Sequence, residues 1–495
     1  MIIEGLLSQS EGKTLEFKRD LSSPKGLMKT LVAFSNTAGG RVIVGIDDYK
    51  RVVGVERPLD EEERLCSLIA DSIKPRLVPN VELVTVEGKT LLIVEVFLSN
   101  SRPHYLAVEG PDQGVYVRLG SSNRQADREL VGELRRSAEG VSYDELPMPE
   151  LSEDDLDLKA ARRLFKGRRA LDEQELLALK LMRREQGRLV PTRGGMLLFG
   201  RERVFHYPDA WVQCGRFIGN DKGDIFDHIE LEESLPESVE SVMLFLKKHA
   251  MRGADFSEIQ RKDVWSIPID ILREVVINAL VHSDYSQRGA PVRVAFFDDR
   301  IEVENPGILM PGMTIEDMKS GVSKIRNPVI ARVFRELKLI EQWGSGVRNI
   351  FSEAAKQNLP MPEIIEIGMR VRFIVRFAET VPLRGVPKKT RGTMGSATPQ
   401  VAIQDTSQVT SQVATQDLMP VKKLVQALVN VMSSNEIMLV LGLKSRKHFR
   451  SGYLSPALKA GLIEMTIPDK PNSRLQKYRL TEAGKAFLTS TDSLQ

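Results

Sequence analysis

The 495-residue sequence contains only two cysteines, Cys66 and Cys214. So few cysteines exclude a disulfide-stapled scaffold and are typical of proteins from a reducing compartment. No apolar run reaches the length of about 18 residues that a membrane-spanning helix needs. The first residues, MIIEGLLSQSEGK, lack the basic and apolar regions of a signal peptide. We therefore expect a cytoplasmic protein.

An excess of one charge is also missing, because 70 Lys and Arg residues face 67 Asp and Glu residues and leave a net charge of +3. Such a small excess does not indicate nucleic-acid binding by itself, so local basic clusters must carry that prediction. A P-loop, G-x-x-x-x-G-K-[ST], is absent as well. Gly12-Lys13-Thr14 and Gly88-Lys89-Thr90 lack the earlier glycine at the required spacing. This absence excludes a P-loop helicase motor.

What is present is ordinary globular composition, with 42% hydrophobic and 28% charged residues, in a chain too long for one core. The pattern predicts a multidomain α/β and α+β protein. The predicted parts are an α/β domain at 1–137, an acidic connector at 138–157, a larger α/β region at 158–378, a flexible Thr/Ser/Gln-rich linker at 379–419 and a small domain at 420–495.

The segment PIDILREVVINALVHSDYS predicts a helix that is apolar almost all round and therefore buried. Glu274 and Asn278 interrupt it four residues apart, on one face, and His282 follows one turn later. Asn supplies a hard oxygen ligand for Mg²⁺, and Glu can orient or deprotonate a water molecule. The alternative is a buried polar pair that the neighbouring backbone satisfies.

Two glycine-containing turns follow this helix along the chain. PVRVAFFDDRIEVENPGIL predicts two strands joined by a DD turn and ends in Asn305-Pro306-Gly307. Further on, Gly344-Ser345-Gly346 precedes an amphipathic helix. A glycine-rich turn that opens a helix presents free N–H groups and the positive end of a dipole to phosphate. The polar pair on the buried helix and these two glycine-containing turns, in this order, favour a nucleotide site.

These segments resemble the N-box and the two glycine boxes of the GHKL ATPase superfamily, in the branch of RecG-like transcriptional regulators, over about 158–378. The branch shares an H-x-D-Y continuation, which His282, Asp284 and Tyr285 match. Most GHKL proteins have an Asp at the position of Asn305, where it accepts the adenine amino proton, and Asn can accept through its carbonyl. The resemblance implies an α/β-sandwich domain that binds ATP and Mg²⁺, with Glu274 as the catalytic carboxylate and Asn278 as the magnesium ligand. The implied ATP-binding residues are Asn278, His282, Asn305, Gly307, Gly344, Ser345 and Gly346.

The N-terminal part contains E-F-K, A-F-x-N-T-x-G-G and V-G-I-D-D elements and ends near YVRLGSSNRQA. It is similar to the Schlafen AlbA-like domain over nearly all of 1–137, and this resemblance implies nucleic-acid binding. The implied phosphate contacts are Lys18, Arg118, Ser121, Ser122, Asn123 and Arg124. The alternative is an ordinary solvated charged surface.

Some Schlafen relatives are metal-dependent ribonucleases that use three carboxylates, two of them in an E-x4-E pair. Glu11 and Glu16 have this spacing, and Asp47 or Asp48 ends the following strand. Three such ligands could hold Mg²⁺ or Mn²⁺ for phosphodiester cleavage. Alternatively, these are surface acids, with Glu16 paired to a neighbouring lysine.

The sequence of the last domain predicts a helix, a turn, a second helix and two strands around a PDKPNS loop. This is the order of elements in a winged helix. Basic residues crowd the turn, the second helix and the wing, where they would approach a DNA groove. These residues are Lys444, Arg446, Lys447, His448, Arg450, Arg474 and Lys477. A winged helix can also serve as a protein-contact module.

Together these features predict a nucleic-acid-binding protein that binds ATP and hydrolyses it with Mg²⁺, acting as a transcriptional regulator or a defence component, with DNA favoured over RNA. The alternative is an ATP-gated, metal-dependent nuclease that uses the N-terminal carboxylates. Because GHKL relatives often dimerise, the resemblance also implies a homo-oligomer.

Overall fold

The computed structural model of the protein describes residues 2–250, 252–255, 262–340, 346–381, 424–425, 427–428, 432–441, 449, 453–454, 457–458, 462–466 and 477–481. It divides into two compact units, Met1–Lys388 and Lys389–Gln495. The mixed α/β architecture that the sequence predicts is confirmed. None of the described helices is long and apolar enough to cross a membrane.

The N-terminal segment (residues 2–139) is built on a four-stranded sheet with the order β1-β2-β5-β4, in which β1 and β2 are parallel and the other pairs antiparallel. The predicted helix α2 ends at Asn36, and Gly39 then adopts a left-handed φ of 76° that turns the chain into β2. The elements are α1 Ile2–Leu7, β1 Leu15–Lys18, α2 Pro24–Asn36, β2 Gly40–Val44, α3 Pro58–Ser72, β3 Ile73–Lys74, β4 Asn80–Val86, β5 Lys89–Val96, β6 Tyr105–Leu106, α4 Gly110–Gln113, β7 Tyr116–Leu119, β8 Ser122–Gln125 and α5 Arg128–Glu139.

The middle segment (residues 143–381) contains a mixed six-stranded sheet with the order β12-β11-β15-β16-β18-β17, in which only β11 and β15 pair in parallel. Two 3₁₀ turns, Tyr143–Glu145 and Glu153–Asp155, lead into it. The elements are α6 Leu158–Leu164, α7 Glu173–Ala178, β9 Met182–Glu185, β10 Arg188–Pro191, α8 Arg193–Phe199, α9 Arg203–His206, β11 Val212–Phe217, β12 Ile225–Leu231, α10 Leu235–His249, β13 Arg252–Asp255, β14 Lys262–Trp265, α11 Ile269–His282, β15 Val292–Phe296, β16 Arg300–Pro306, α12 Ile315–Ser320, α13 Pro328–Glu336, α14 Gly346–Lys356, β17 Glu363–Ile367 and β18 Arg370–Arg376.

Strand β16 has two chemically different faces because successive side chains alternate across a strand. Ile301 and Val303 join the large hydrophobic core to which helix α11 also contributes. Glu302 and Glu304 belong to the other set and pair with arginines, for example Glu304 with Arg372 at 2.7 Å. Asn305 lies two residues after Val303, so the alternation assigns it to the same face of the sheet as Ile301 and Val303, the face that packs in the core with helix α11.

The C-terminal unit has its own hydrophobic cluster, which includes Leu424, Ile437, Phe449 and Tyr478. Its described elements are β19 Met432–Ser433, α15 Ser434–Val440, β20 Ile463–Met465 and β21 Lys477–Leu480. The strands form an antiparallel sheet with the order β19-β21-β20. A helix before a strand pair agrees with part of the predicted element order, and the winged helix itself stays a prediction.

Candidate functional site

Helix α11 buries eight apolar side chains in the core, from Ile271 to Val281, as its sequence pattern predicts. Glu274 and Asn278 remain half-buried on one face and line a cleft. The Asn278 amide nitrogen donates to the Glu274 backbone oxygen and to its Oε1, both at 2.8 Å. The pair is thus partly self-satisfied, which was the alternative interpretation.

The same two hydrogen bonds determine which atom Asn278 has left for a ligand. Both use Nδ2, and Oδ1 accepts no hydrogen bond from the described part of the chain. An amide oxygen is a hard ligand of the kind that Mg²⁺ prefers. These hydrogen bonds therefore leave Asn278 Oδ1 for a ligand such as a magnesium ion.

The start of helix α14 lies directly against this pair. A Cβ atom built on Gly346 would lie 1.9 Å from Glu274 Oε1 and 3.4 Å from Asn278 Nδ2. Only a residue without a side chain lets the helix begin this close to the carboxylate. The two preceding residues of the predicted glycine box, Gly344 and Ser345, lie outside the described residues.

Because of this contact, Gly346→Ala is expected to displace the Glu274 carboxylate while the fold persists, since only the end of a flexible side chain has to move. If Glu274 acts as a general base, ATP turnover should fall by about 10²-fold or more. Steady-state phosphate release measures this effect. The matched control is Gly26→Ala in helix α2, where the new Cβ would meet only Ser23 Oγ at 3.6 Å. Wild-type turnover in the Gly346 variant would contradict the assignment.

Asn305, at the end of β16, also lines the cleft, with 3% of its surface exposed. Its Nδ2 donates to the backbone oxygens of His282 at 3.4 Å and Pro306 at 3.1 Å. None of the described residues donates to its Oδ1. Two backbone acceptors thus fix the amide so that its oxygen is the group left for a ligand.

Two residues close to Asn305 are also constrained: His282 lines the cleft, and Gly307 forms the turn after β16. Burial lowers the pKa of His282 to about 4, and the positive charge of Arg326 acts in the same direction, so the imidazole is neutral at pH 7. Gly307 has a φ of +103°, and a Cβ there would lie 2.9 Å from the Asp284 Cβ. Both the backbone conformation and the close packing require glycine at this turn.

The cleft has a volume of about 1090 Å³, including solvent at its mouth. Among the described residues, three cations line the cleft: Lys324, Arg326 and Arg335. Lys324 donates to the Pro311 oxygen at 2.9 Å, whereas Arg326 is buried and bonded to Glu133. We did not predict these cations from the sequence, although the run GVSKIRNP after the first glycine box is a visible basic signal. The charges of Lys324 and Arg335 favour a polyanionic ligand.

The N-terminal segment holds a second polar group, which we call the Arg118 cluster: Arg118, Glu16, Lys18 and Asn123. Arg118 is only 1% exposed and donates to Glu16, to Asn123 Oδ1 at 2.9 Å and to the Gly12 oxygen at 3.0 Å. Lys18 also pairs with Glu16. The assignment of Arg118 as a phosphate contact stays a prediction, and in the structure its guanidinium is buried and donates to internal partners.

The three carboxylates of the nuclease interpretation have different partners. Glu11 Oε1 accepts from the Phe17 N–H at 2.8 Å, and Asp47 Oδ2 pairs with Arg51 at 2.7 Å. Hydrogen bonds from the Arg51 backbone and side chain hold the pKa of Asp47 below its usual value. Within the described ranges no group of three or more His, Cys, Asp or Glu side chains could hold a metal ion. The structure thus does not assemble Glu11, Glu16 and Asp47 or Asp48 into a metal site.

The hairpin of β7 and β8 carries the other predicted nucleic-acid contacts of the N-terminal segment, and most of them are exposed. Ser121, Ser122 and Arg124 are exposed, whereas Asn123 is half-buried and donates to Thr30 Oγ1 at 2.9 Å. In the C-terminal unit Lys477 is exposed at the start of β21. The other predicted contacts there lie outside the described residues: Lys444, Arg446, Lys447, His448, Arg450 and Arg474.

Comparison with protein families matches three segments of this chain. Residues 11–127 match the family "Schlafen, AlbA_2", and residues 289–375 match "Putative ATP-dependent DNA helicase recG C-terminal". Residues 419–481 match "Filamentation induced by cAMP protein Fic-like, C-terminal domain". The first two matches confirm the resemblances to the Schlafen AlbA-like and RecG-like families. No curated protein matches the chain.

Among solved structures, the chain is similar to the DIP2311 protein from Corynebacterium diphtheriae, with 19% identity, a TM-score of 0.41, and coverage of 98% of this chain and 97% of that one. The N-terminal domain of a RecG-related protein from Nitrosomonas europaea is 31% identical, with a TM-score of 0.21 and coverage of 25% and 90%. A Fic family protein from Desulfovibrio desulfuricans is 15% identical, with a TM-score of 0.13 and coverage of 72% and 77%.

Proposed function

Because the chain joins a Schlafen AlbA_2 segment to a segment of the RecG C-terminal family, we propose that it is a nucleic-acid-binding regulator that binds ATP with Mg²⁺ in the cleft between helix α11 and strand β16. The observation that carries this proposal is the convergence of Asn278, Asn305 and Gly346 on one cleft. The chain has no P-loop, so DNA unwinding is not part of the proposal.

At the phosphate end, Asn278 Oδ1 is the metal ligand, and Mg²⁺, when bound, neutralises phosphate charge. Lys324 and Arg335 supply further positive charge from the cleft wall. Glu274 is kept next to Asn278 by the amide's hydrogen bond, in a position to orient or deprotonate a water molecule. The functional assignment is therefore a Mg²⁺-dependent ATP site whose general base is Glu274.

At the base end, Asn305 reads the nucleobase through Oδ1. Its amide protons are already donated to two backbone oxygens, so the side chain presents an acceptor, as an aspartate would. The exocyclic amino group of adenine is a donor and matches it, whereas guanine would place its own O6 acceptor there. An unpaired buried acceptor is costly, by about 1–3 kcal/mol. The site thus favours ATP over GTP.

We expect GTP to compete with a labelled ATP analogue at least about 5-fold more weakly than ATP does, which is the lower end of that cost. Asn305→Leu, which removes the acceptor at similar volume, should reduce this preference to near unity. Asn80→Leu, the same exchange at an exposed asparagine on β4, is the matched control and should keep the wild-type preference. Equal competition by GTP against the wild-type protein would refute the base assignment.

The nucleic-acid part of the proposal rests on the Schlafen AlbA_2 segment and on the exposed β7–β8 hairpin. Ser121, Ser122 and Arg124 present two hydroxyls and a guanidinium, which are common donors to phosphate oxygens. Lys18 lies on β1, next to the buried Arg118–Glu16 pair. DNA binding by the C-terminal unit remains a separate prediction that its basic residues support.

A further inference from the structure

One wall of the nucleotide cleft is fixed by the N-terminal segment. This wall is the loop of residues 307–313, which follows β16, and its residues Ile308, Leu309 and Met310 line the cleft. Four contacts join the N-terminal segment to this loop. Two run through charged side chains, one is a hydrogen bond between backbones, and one is an apolar contact.

The first link runs through Lys13. Lys13 Nζ donates to both oxygens of Glu366, at 2.8 and 2.7 Å, and the side chains are 10% and 5% exposed. Glu366 Oε1 also accepts from the Leu309 N–H at 2.8 Å. One buried carboxylate therefore joins a lysine of the N-terminal segment to the backbone of the cleft wall.

The second link runs through Glu133 on helix α5. Glu133 accepts from Arg326 Nη1, and Arg326 Nη2 donates to the Ile308 oxygen. The glutamate and the arginine are 7% and 6% exposed. Burial and the nearby Asp284 raise the pKa of Glu133 to about 7 against the opposing effect of Arg326. Ile308 also packs in a cluster with Leu130 and Leu134 of the same helix.

The same parts of the N-terminal segment hold the Arg118 cluster and the β7–β8 hairpin. Arg118 Nε donates to the oxygen of Gly12, the residue before Lys13. The Arg118 N–H donates to Thr37 Oγ1 at 2.9 Å, and the Thr37 oxygen accepts from the Gly312 N–H at 2.6 Å. On the other side, β8 leads into helix α5, which carries Glu133. Both strands of the hairpin are therefore connected to the cleft wall.

We propose that Lys13 and Glu133 are positioning residues for the nucleotide cleft and that they couple its occupancy to the Arg118 cluster and the β7–β8 hairpin. This inference rests on the proposed nucleotide site. A nucleotide that shifts residues 308–312 has to shift Glu366, Arg326 and Thr37 with them, because packed interiors do not deform continuously. Coupling of this kind is reciprocal, so a ligand on the hairpin changes nucleotide affinity by the same factor.

The test combines ATP binding with amide hydrogen exchange on the full chain. In the wild-type protein, a non-hydrolysable ATP analogue with Mg²⁺ should change the exchange of the Arg118 and Gly12 amides. Lys13→Met and Glu133→Gln should each weaken binding of the analogue by at least about 5-fold and remove that change in exchange. If Lys13 and Glu133 had a purely structural role, their substitution would alter the hydrogen exchange of these amides equally with and without nucleotide.

The matched controls are Lys25→Met, at a lysine whose side chain is 73% exposed, and Glu129→Gln, on the exposed side of the same helix α5. Both should behave as the wild type does. A wild-type protein that binds no analogue would overturn the proposed function together with this inference. Binding without any exchange response at Arg118 and Gly12 would overturn this inference alone, as would variants that keep both affinity and response.

Discussion

Asn278→Ala is expected to remove most Mg²⁺-dependent ATP binding. Asn278 Oδ1 is the amide oxygen that the two Nδ2 hydrogen bonds leave for the metal, and alanine offers no replacement ligand. Loss of partners that only support metal ligands typically costs 10–100-fold in affinity, so loss of the ligand itself should cost at least about 100-fold. Calorimetry with a non-hydrolysable ATP analogue, with and without Mg²⁺, measures this effect.

Asn80→Ala is the control for this variant, because Asn80 is an exposed asparagine on β4 whose side-chain amide donates to Glu82. It should leave nucleotide binding unchanged. Strong binding by the Asn278 variant, with undiminished dependence on Mg²⁺, would refute the magnesium assignment. Loss of binding accompanied by loss of the thermal unfolding transition would point to damage of helix α11 instead.

The helices and strands around the cleft could be predicted from the sequence because the patterns that indicate them are local. Helix α11 follows from an apolar segment interrupted four residues apart, and the hairpin of β15 and β16 follows from two β-type runs around a DD turn. The strand order of the six-stranded sheet could not be predicted from the sequence. Strand β18 pairs with β16 although helices α12, α13 and α14 lie between them in the chain, and no short-range pattern encodes such a pairing or its register.

The site shows the same division between local and long-range information. Glu274 and Asn278 share one helix face, which spacing alone predicts. The buried Arg118–Glu16 pair joins residues 102 positions apart, and the Arg326–Glu133 bond joins residues 193 positions apart. In the sequence Arg118 has the charge of a phosphate contact, and only its tertiary partner shows that it is internal. Charge type is therefore a weak predictor of ligand contact where a carboxylate from a distant segment can be buried with it.

Glu274→Ala is expected to slow ATP turnover while nucleotide binding survives. If the carboxylate orients or deprotonates the attacking water, its loss should lower kcat by about 10²–10⁴-fold, which corresponds to about 3–5 kcal/mol of transition-state stabilisation. Binding should persist or tighten slightly, because a negative charge leaves the neighbourhood of the phosphates. Single-turnover hydrolysis and calorimetry on the same preparation separate the two effects.

Two further variants make the result specific to the carboxylate. Glu274→Gln keeps an oxygen that can accept the hydrogen bond from Asn278 but is no base, so it should lose turnover as alanine does and retain binding. Glu240→Ala removes an exposed glutamate on helix α10 and should match the wild type in both measurements. A Glu274→Gln protein with wild-type kcat would exclude Glu274 as the base. A loss of affinity with an unchanged single-turnover rate at saturating ATP in both Glu274 variants would instead assign this carboxylate to nucleotide binding, because an interaction equal in the ground and transition states changes affinity and not the chemical step.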